Sequence, residues 1–240
     1  MAWNERTILD TFVELADSLV GDYDPAEFLS TLVTRCAEVL DATSAAVMLE
    51  SAEGDLRLAA ATTAAMEALE QAEIDNEDGP CHQAYRTGEP VVANDLADGH
   101  AAERWPSVAK LMRDMGLRAV YAFPLRLRDD RLGALNLYRD TPGAFAEEDV
   151  RLAQAFADVA TIGIINERKL ATAEVRAAQL QTALDTRIVI ERAKGVIAVT
   201  GDVPFEEAFE MIRRQARRTQ RKVRDVAQSV IDEGPQVLDP

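Results

Sequence analysis

The sequence is poor in the residues that build metal centres and disulfide frameworks. Its 240 residues include two cysteines, Cys36 and Cys81, and two histidines, His82 and His100. No paired C-x-x-C occurs, which argues against a structural zinc site, and nothing suggests a disulfide framework. No run approaches the roughly 18 apolar residues of a membrane span. The opening stretch MAWNERTILDTFVELADSL has early acids and no unbroken apolar segment, so neither a signal peptide nor a membrane partner is expected. The expected location is cytoplasmic. Basic charge is also scarce at first: residues 1–173 carry 15 basic and 31 acidic side chains. Such a surface repels nucleic acid and anionic lipid, and its simplest role is solubility.

What is present is concentrated near the C-terminus. Residues 174–232 carry 11 basic and 9 acidic side chains, in a chain of net charge -16. Arg213, Arg214, Arg217, Arg218, Arg221, Lys222 and Arg224 follow one another with no acid among them. The change of sign along the chain points to two parts with different partners. The length suffices for one large or two small domains.

In the first part, Ile8, Leu9, Phe12, Val13, Leu15, Ala16 and Leu19 recur at helical spacing, predicting a helix over 4–20 that Gly21 and Asp22 end. Asp24-Pro25 then caps a second helix running to about residue 40. Its apolar face holds Phe28, Leu29, Leu32, Val33, Cys36 and Leu40, so Cys36 reads as core filler. Residues 44–49 and 56–61 read as a hairpin, and 62–72 as a helix or loop. A short helix over 83–86, a strand over 91–93 and a helix over 103–115 follow. Two long strands, 118–126 and 131–139, turn at Arg128-Asp129-Asp130. Strands dispersed among helices predict an α+β domain with an antiparallel sheet.

This part resembles a GAF domain over about residues 25–165. The resemblance rests on the element order, on DGPCHQAYRTGEPVVANDL (78–96) and on YAFPLRLRDDRLGALNLYR (121–139). It implies helices on one face of the sheet and a ligand pocket on the other. Some such domains bind cyclic nucleotides, others tetrapyrroles or small organic molecules, and many bind nothing known. Cys81, His82, Tyr121, Phe123 and Asn136 are the expected pocket residues. Cys81 is also a candidate redox thiol, because a helix N-terminus would favour its thiolate; otherwise it simply lines the cavity. A Cys-dependent reductase would need several cooperating cysteines, so no enzyme is expected. No single loop gathers arginines or glycines for a phosphate; a bilin or haem would have only Cys81 and His82 to hold it, and the cofactor stays open.

From residue 147 to about 184 there is no proline and one glycine, Gly163. Val150, Ala153, Ala157, Ala160 and Ile164 form one stripe, and Leu170, Ala173, Ala177, Leu180 and Leu184 continue at spacings of three and four. A connecting helix pairing with a second copy in a parallel homodimer is expected, over 147–184. Beyond it the pattern predicts helices over 184–199, 204–217 (burying Phe205, Ala208, Phe209, Ile212 and Ala216) and 219–232, the last capped by Thr219.

RIVIERAKGVI (187–197), EEAFEMIRRQAR (206–217) and RKVRDVAQSV (221–230) resemble the ANTAR domain, the RNA-binding module of bacterial antiterminators. Ala198-Val199 and Gln215 depart from its usual pattern. The resemblance implies a module over 178–232, with a tail over 233–240, that binds paired RNA stem-loops and blocks a transcription terminator. Arg187, Arg192, Lys194 and Gly195 join the seven basic residues above as the expected RNA contacts. Gly195 lacks a Cβ and so allows close backbone approach. The whole chain then reads as a sensor-gated antiterminator. The alternatives are a ligand- or redox-responsive regulator whose module binds a protein, and the reductase.

Overall fold

The computed structural model describes residues 5–19, 24–128 and 130–238. Gly21, Asp22 and Asp129, expected to end a helix and to form a turn, lie outside them. The chain divides into two compact units, Met1–Arg168 and Lys169–Pro240.

The first unit is α+β. Helices α1 (Glu5–Asp17) and α2 (Pro25–Val39) precede a hairpin of β1 (Ser44–Glu50) and β2 (Leu56–Ala61). Then come α3 (Ala64–Asn76), α4 (Pro80–Thr87), β3 (Val91–Ala93), α5 (His100–Arg104), α6 (Ala109–Asp114), β4 (Ala119–Leu127) and β5 (Asp130–Arg139). Helix α7 (Glu147–Gly201) begins in this unit. The sheet order is β2-β1-β5-β4-β3, with every neighbouring pair antiparallel. The segment over 62–72 is therefore helical and longer than expected. The helix expected over 103–115 is broken into two at Trp105-Pro106, since proline disfavours helical backbone in the residue before it.

Local chemistry explains several boundaries. The Asp24 carboxylate accepts from the Ala26 and Glu27 amides, and Pro25 fills the first helical position of α2. Gly88, in the left-handed region, closes α4. Pro124 is tolerated in β4 because β3 pairs only as far as Ala122, leaving that edge open. The Pro124 carbonyl instead accepts from the Gln154 amide.

The central strands are buried on both faces. Ala119, Tyr121, Phe123 and Leu125 of β4, with Leu135 and Leu137 of β5, face α1, α2 and the start of α7. From those helices Leu15, Phe28, Leu32, Val33, Cys36, Ala153, Phe156, Ala157 and Ala160 complete that core. The stripe over 150–164 is thus core of its own unit rather than the start of an intermolecular seam. Phe12 stacks on Phe156, ring centres 4.9 Å apart. Gly163 lets α7 approach closely, because a Cβ there would meet Leu19 Cδ2 at 2.9 Å and Phe28 Cε1 at 3.0 Å. The other face holds Met48, Val120, Ala122, Ala134 and Tyr138 against α3, α4, α6 and the buried Trp105. On α1, Leu9 and Val13 remain exposed, so the apolar residues of that helix are only partly used.

The second unit contains the rest of α7, then α8 (Phe205–Thr219), α9 (Val223–Glu233) and a short 3-10 helix, Pro235–Leu238. Its core is small and alanine-rich: Ala193, Ile197, Ala208, Ile212, Ala216, Val226, Ala227 and Val230. Two expectations need correction here. Thr219 does not cap α9; it is the last residue of α8, its hydroxyl bonded to the Gln215 carbonyl, and Gln220 makes the left-handed turn. Phe205 is half-exposed rather than buried. The segment 235–238 packs Val237 and Leu238 beside the core, and the Gln215 amide donates to the Val237 carbonyl at 2.7 Å.

Phe156 is fully buried between the helix layer and the sheet, so Phe156→Ala should destabilise the first unit by about 3–5 kcal/mol. Urea unfolding followed by circular dichroism would read this as a lower midpoint.

Candidate functional site

Two regions carry unusual chemistry. The first lies on the inner face of α3. Glu70 and Glu73 sit one helical turn apart and are fully buried. The Asn136 amide donates to both Glu70 oxygens, at 2.9 and 3.0 Å. The Tyr138 hydroxyl lies 2.9 Å from Glu70 Oε1 and 3.3 Å from Glu73 Oε1. The Cys81 thiol donates to Glu73 Oε2 at 2.7 Å. Gly79 makes room for this contact, since a Cβ there would stand 2.2 Å from Glu73 Oε2.

Burial drives the electrostatics. Desolvation, then the neighbouring Glu70 charge, pushes the Glu73 carboxyl well up, and desolvation also raises Glu70. Cys81 rises for the same reasons, burial first and the Glu73 and Glu70 charges next. The thiolate expected at the start of α4 is therefore disfavoured: two acids beside a buried sulfur outweigh the dipole of an eight-residue helix. Cys36 is raised by burial alone.

A cavity of about 720 Å³ lies beside the same helices. Leu56, Arg57 and Leu58 of β2, Gln71, Ile74 and Asp75 of α3, and His82, Tyr85 and Arg86 of α4 line it. His82 Nε2 is buried without a partner among the described residues, and desolvation followed by the Arg86 charge lowers the imidazole's affinity for a proton. The cavity falls in the size range of small-ligand sites. It brings together Arg57 and Arg86, which no single loop of the sequence does.

Of the expected pocket residues, Cys81 and Asn136 join the acidic cluster and His82 lines the cavity. Tyr121 and Phe123 do not join them. They belong to the opposite face of the sheet, packed under the helix layer. The Tyr121 hydroxyl lies 3.0 Å from Asn94 Oδ1, accepts from the Phe145 amide and holds Gly143, which ties down the loop before α7. Glu70, Glu73, Arg57 and Arg86 carry the site's chemistry without a signal from spacing. Much of the 78–96 motif is structural: Asp95 pairs with Arg118, Asp78 accepts from the Ser107 amide, and Gln83 accepts from the Trp105 indole.

The second region is the outer surface of α8, α9 and the end of α7. Arg187, Arg192, Arg214, Arg217, Lys222 and Arg224 are exposed, and their side chains bond to no other described residue. Arg213 pairs with Glu210 at 2.6 Å and lies over the Phe209 ring. Arg218 bonds Gln215, and Arg221 donates to the Asp225 carbonyl and to Ser229. Lys194 is not a free contact: it pairs with Glu191 at 2.9 Å, sits over Phe205 and Phe209, and its side chain is 17% exposed. With Arg187, Ile190 and Phe209 it lines a second cavity of about 280 Å³. Gly195 faces open space; a Cβ there would meet nothing within 4 Å. Part of this charge suits the helix itself, since α8 begins with Glu206 and Glu207 and ends with Arg217 and Arg218.

The comparisons with known proteins match these two regions separately. A GAF domain is matched over residues 24–164 and an ANTAR domain over residues 178–231. The chain belongs to the GAF domain family. Joined to ANTAR, the GAF domain makes this a sensor-regulated RNA-binding regulator. No curated protein sequence matches the chain. Among solved structures, the GAF domain of a phosphoenolpyruvate-protein phosphotransferase from Coxiella burnetii is 17% identical with a TM-score of 0.53. It covers 70% of this chain and 99% of its own. The equivalent Acinetobacter domain is 14% identical, TM-score 0.52, covering 69% and 97%. A GAF domain/HD domain protein from Geobacter sulfurreducens is 19% identical, TM-score 0.51, covering 62% and 97%. At these identities the likeness is one of fold. Among the described residues no helix is long and apolar enough to cross a membrane.

Both buried thiols should be inert in the folded chain. Ellman's reagent is expected to titrate almost no thiol rapidly in native buffer and two per chain in guanidinium. Fast native labelling of Cys81 would restore the reactive-thiol reading.

Proposed function

We propose that the protein is a transcription antiterminator, without enzymatic activity, whose homodimer presents two ANTAR modules to paired RNA stem-loops under control of the GAF domain. The observation that carries this reading is the set of six exposed, unbonded cations on an ANTAR module within a chain of net charge -16. A dipole-compensating role accounts for Arg217 alone among them. The rest are solvated charges with no local partner to balance them, which suits phosphate contact. Arg213 over Phe209, and the half-exposed Phe205, add flat surfaces on which unpaired loop bases can stack.

The dimer reading rests on the exposed stretch of α7. Residues 169–185 bury nothing within the chain, yet Leu170, Ala173, Ala177, Leu180 and Leu184 alternate at three and four, with Leu180 72% exposed. A helix with an uncovered apolar seam of this period pairs with a second copy. The GAF cavity supplies the input site for a small molecule, and α7, which belongs to both domains, carries the response.

Three measurements test this. In a gel shift with an RNA bearing two short hairpins, wild type should bind saturably and lose about 10³-fold affinity between 50 and 200 mM salt, as six phosphate contacts predict. Arg217→Glu with Arg221→Glu should abolish the shift, while a folded wild-type dimer that ignores the RNA would favour a protein partner for the module. Gly195→Ala should raise thermal stability, by about 0.5–1 kcal/mol, yet weaken RNA binding; unchanged affinity would remove Gly195 from the interface. Leu180→Glu with Leu184→Glu should shift sedimentation from dimer to monomer.

A further inference from the structure

The cluster on the inner face of α3 has no charge balance of its own. Glu70 and Glu73 are surrounded by Asn136, Tyr138, Cys81 and each other, and none of these is a cation. Burying a carboxylate without a counter-charge costs several kcal/mol per group (~, after relaxation). Such a site needs protons or a metal ion.

The geometry favours an ion. One carboxylate oxygen from each glutamate and the Cys81 sulfur all lie within 4.8 Å of one another. Ligand atoms about 2.0–2.3 Å from a shared ion stand at most about 4.6 Å apart, so only a small contraction separates these positions from a coordination shell. An independent feature points the same way. Asn136 is fully buried, its amide nitrogen is on Glu70 and it acts on the Cys81 thiol, yet its Oδ1 has no partner among the described residues. A buried amide side chain aimed at an acid and a thiol, with one polar atom unmatched, marks a site whose polar groups are not all satisfied from within the protein. The Tyr138 hydroxyl, bonded to both carboxylates, holds them in place as outer groups hold ligands in metal sites.

We propose that Glu70, Glu73 and Cys81, with the Asn136 side chain beside them, bind one divalent first-row transition ion, Zn²⁺ or Fe²⁺, inside the GAF domain. The thiolate excludes Mg²⁺ and Ca²⁺, and the oxygen donors exclude Cu(I). The thiol proton leaves on binding, so the present sulfur–oxygen hydrogen bond is replaced by two bonds to the ion. Gly79 is part of the site, because any side chain there would displace Glu73.

Cobalt(II) is the probe. The full-length chain, stripped with EDTA and dialysed, is titrated with Co²⁺ while near-ultraviolet thiolate-to-cobalt and visible d–d absorption are followed. The expected result is saturation at about one ion per chain, displacement by Zn²⁺, and no displacement by millimolar Mg²⁺. Cys81→Ser should lose the thiolate band, and Glu73→Gln should bind at least about ten-fold more weakly. Glu73→Gln keeps the side-chain shape and removes a buried charge, so in EDTA it should melt no lower than wild type. Zn²⁺ should then raise the melting temperature of wild type but not of the variant. Absence of a saturable cobalt band in the folded wild type overturns the proposal whatever the variants do. Equal binding by wild type and Cys81→Ser overturns it as well, and leaves protons as what keeps the cluster neutral.

Discussion

The GAF domain depends on a sheet whose central strands have no solvent face. β4 and β5 send alternate side chains to two separate interiors, and each interior must find its own cover. The odd-numbered residues of β4 meet α1, α2 and α7 in a core of aliphatic and aromatic groups. Val120 and Ala122 of β4 and Ala134 of β5 meet α3, α4 and α6, and there Asn136 and Tyr138 replace hydrocarbon. Polarity on one side is tolerable because the other side supplies the hydrophobic stabilisation. In the first interior the buried hydroxyls are few and met locally, Tyr121 by the Phe145 amide and Gly143 and Thr161 by the Ala157 carbonyl.

That division also explains what could be read in advance. Asp24-Pro25 marks the start of α2 by local chemistry, and the face of α2 from Phe28 to Leu40 is buried as its spacing implies. The strands are legible because they are long, apolar and bounded by turns. Their facing is not. β4 is apolar at both parities, so nothing in its residues says whether Tyr121 or Ala122 points at α3; only register and helix placement decide it. Glu70 and Glu73 were hidden for the opposite reason. Acids on a weakly patterned helix suggest a wet surface, and their burial becomes visible only once Asn136, Tyr138 and Cys81 arrive from other elements.

Helix α7 shows the limit of periodicity as a guide. The residues over 150–164 and those over 170–184 repeat at similar spacings, yet the first set is buried within the GAF domain and the second is bare. A period identifies an apolar face without naming what covers it. The ANTAR module is the converse case. Its basic residues are plain in the sequence, but their availability is not: Lys194 is engaged by Glu191 and two aromatic rings, whereas Arg214 and Arg217 are unengaged.

The bare stretch of α7 has one more consequence, in how the chain can change length. Every residue over 169–185 is exposed, and bonds there run along the helix itself, Gln181 to Asp185 and Thr182 to the Ala178 carbonyl, so residues can be added or removed there without disturbing either core. The leucine stripe is less permissive. Two turns of helix take about seven residues, so a seven-residue insertion lengthens the stripe and leaves its line unbroken, whereas one or two residues would swing its two ends apart around the helix. Variation in this segment is therefore free in composition at the outward positions and quantised in length, a rule set by helical pitch and not by anything either domain contacts.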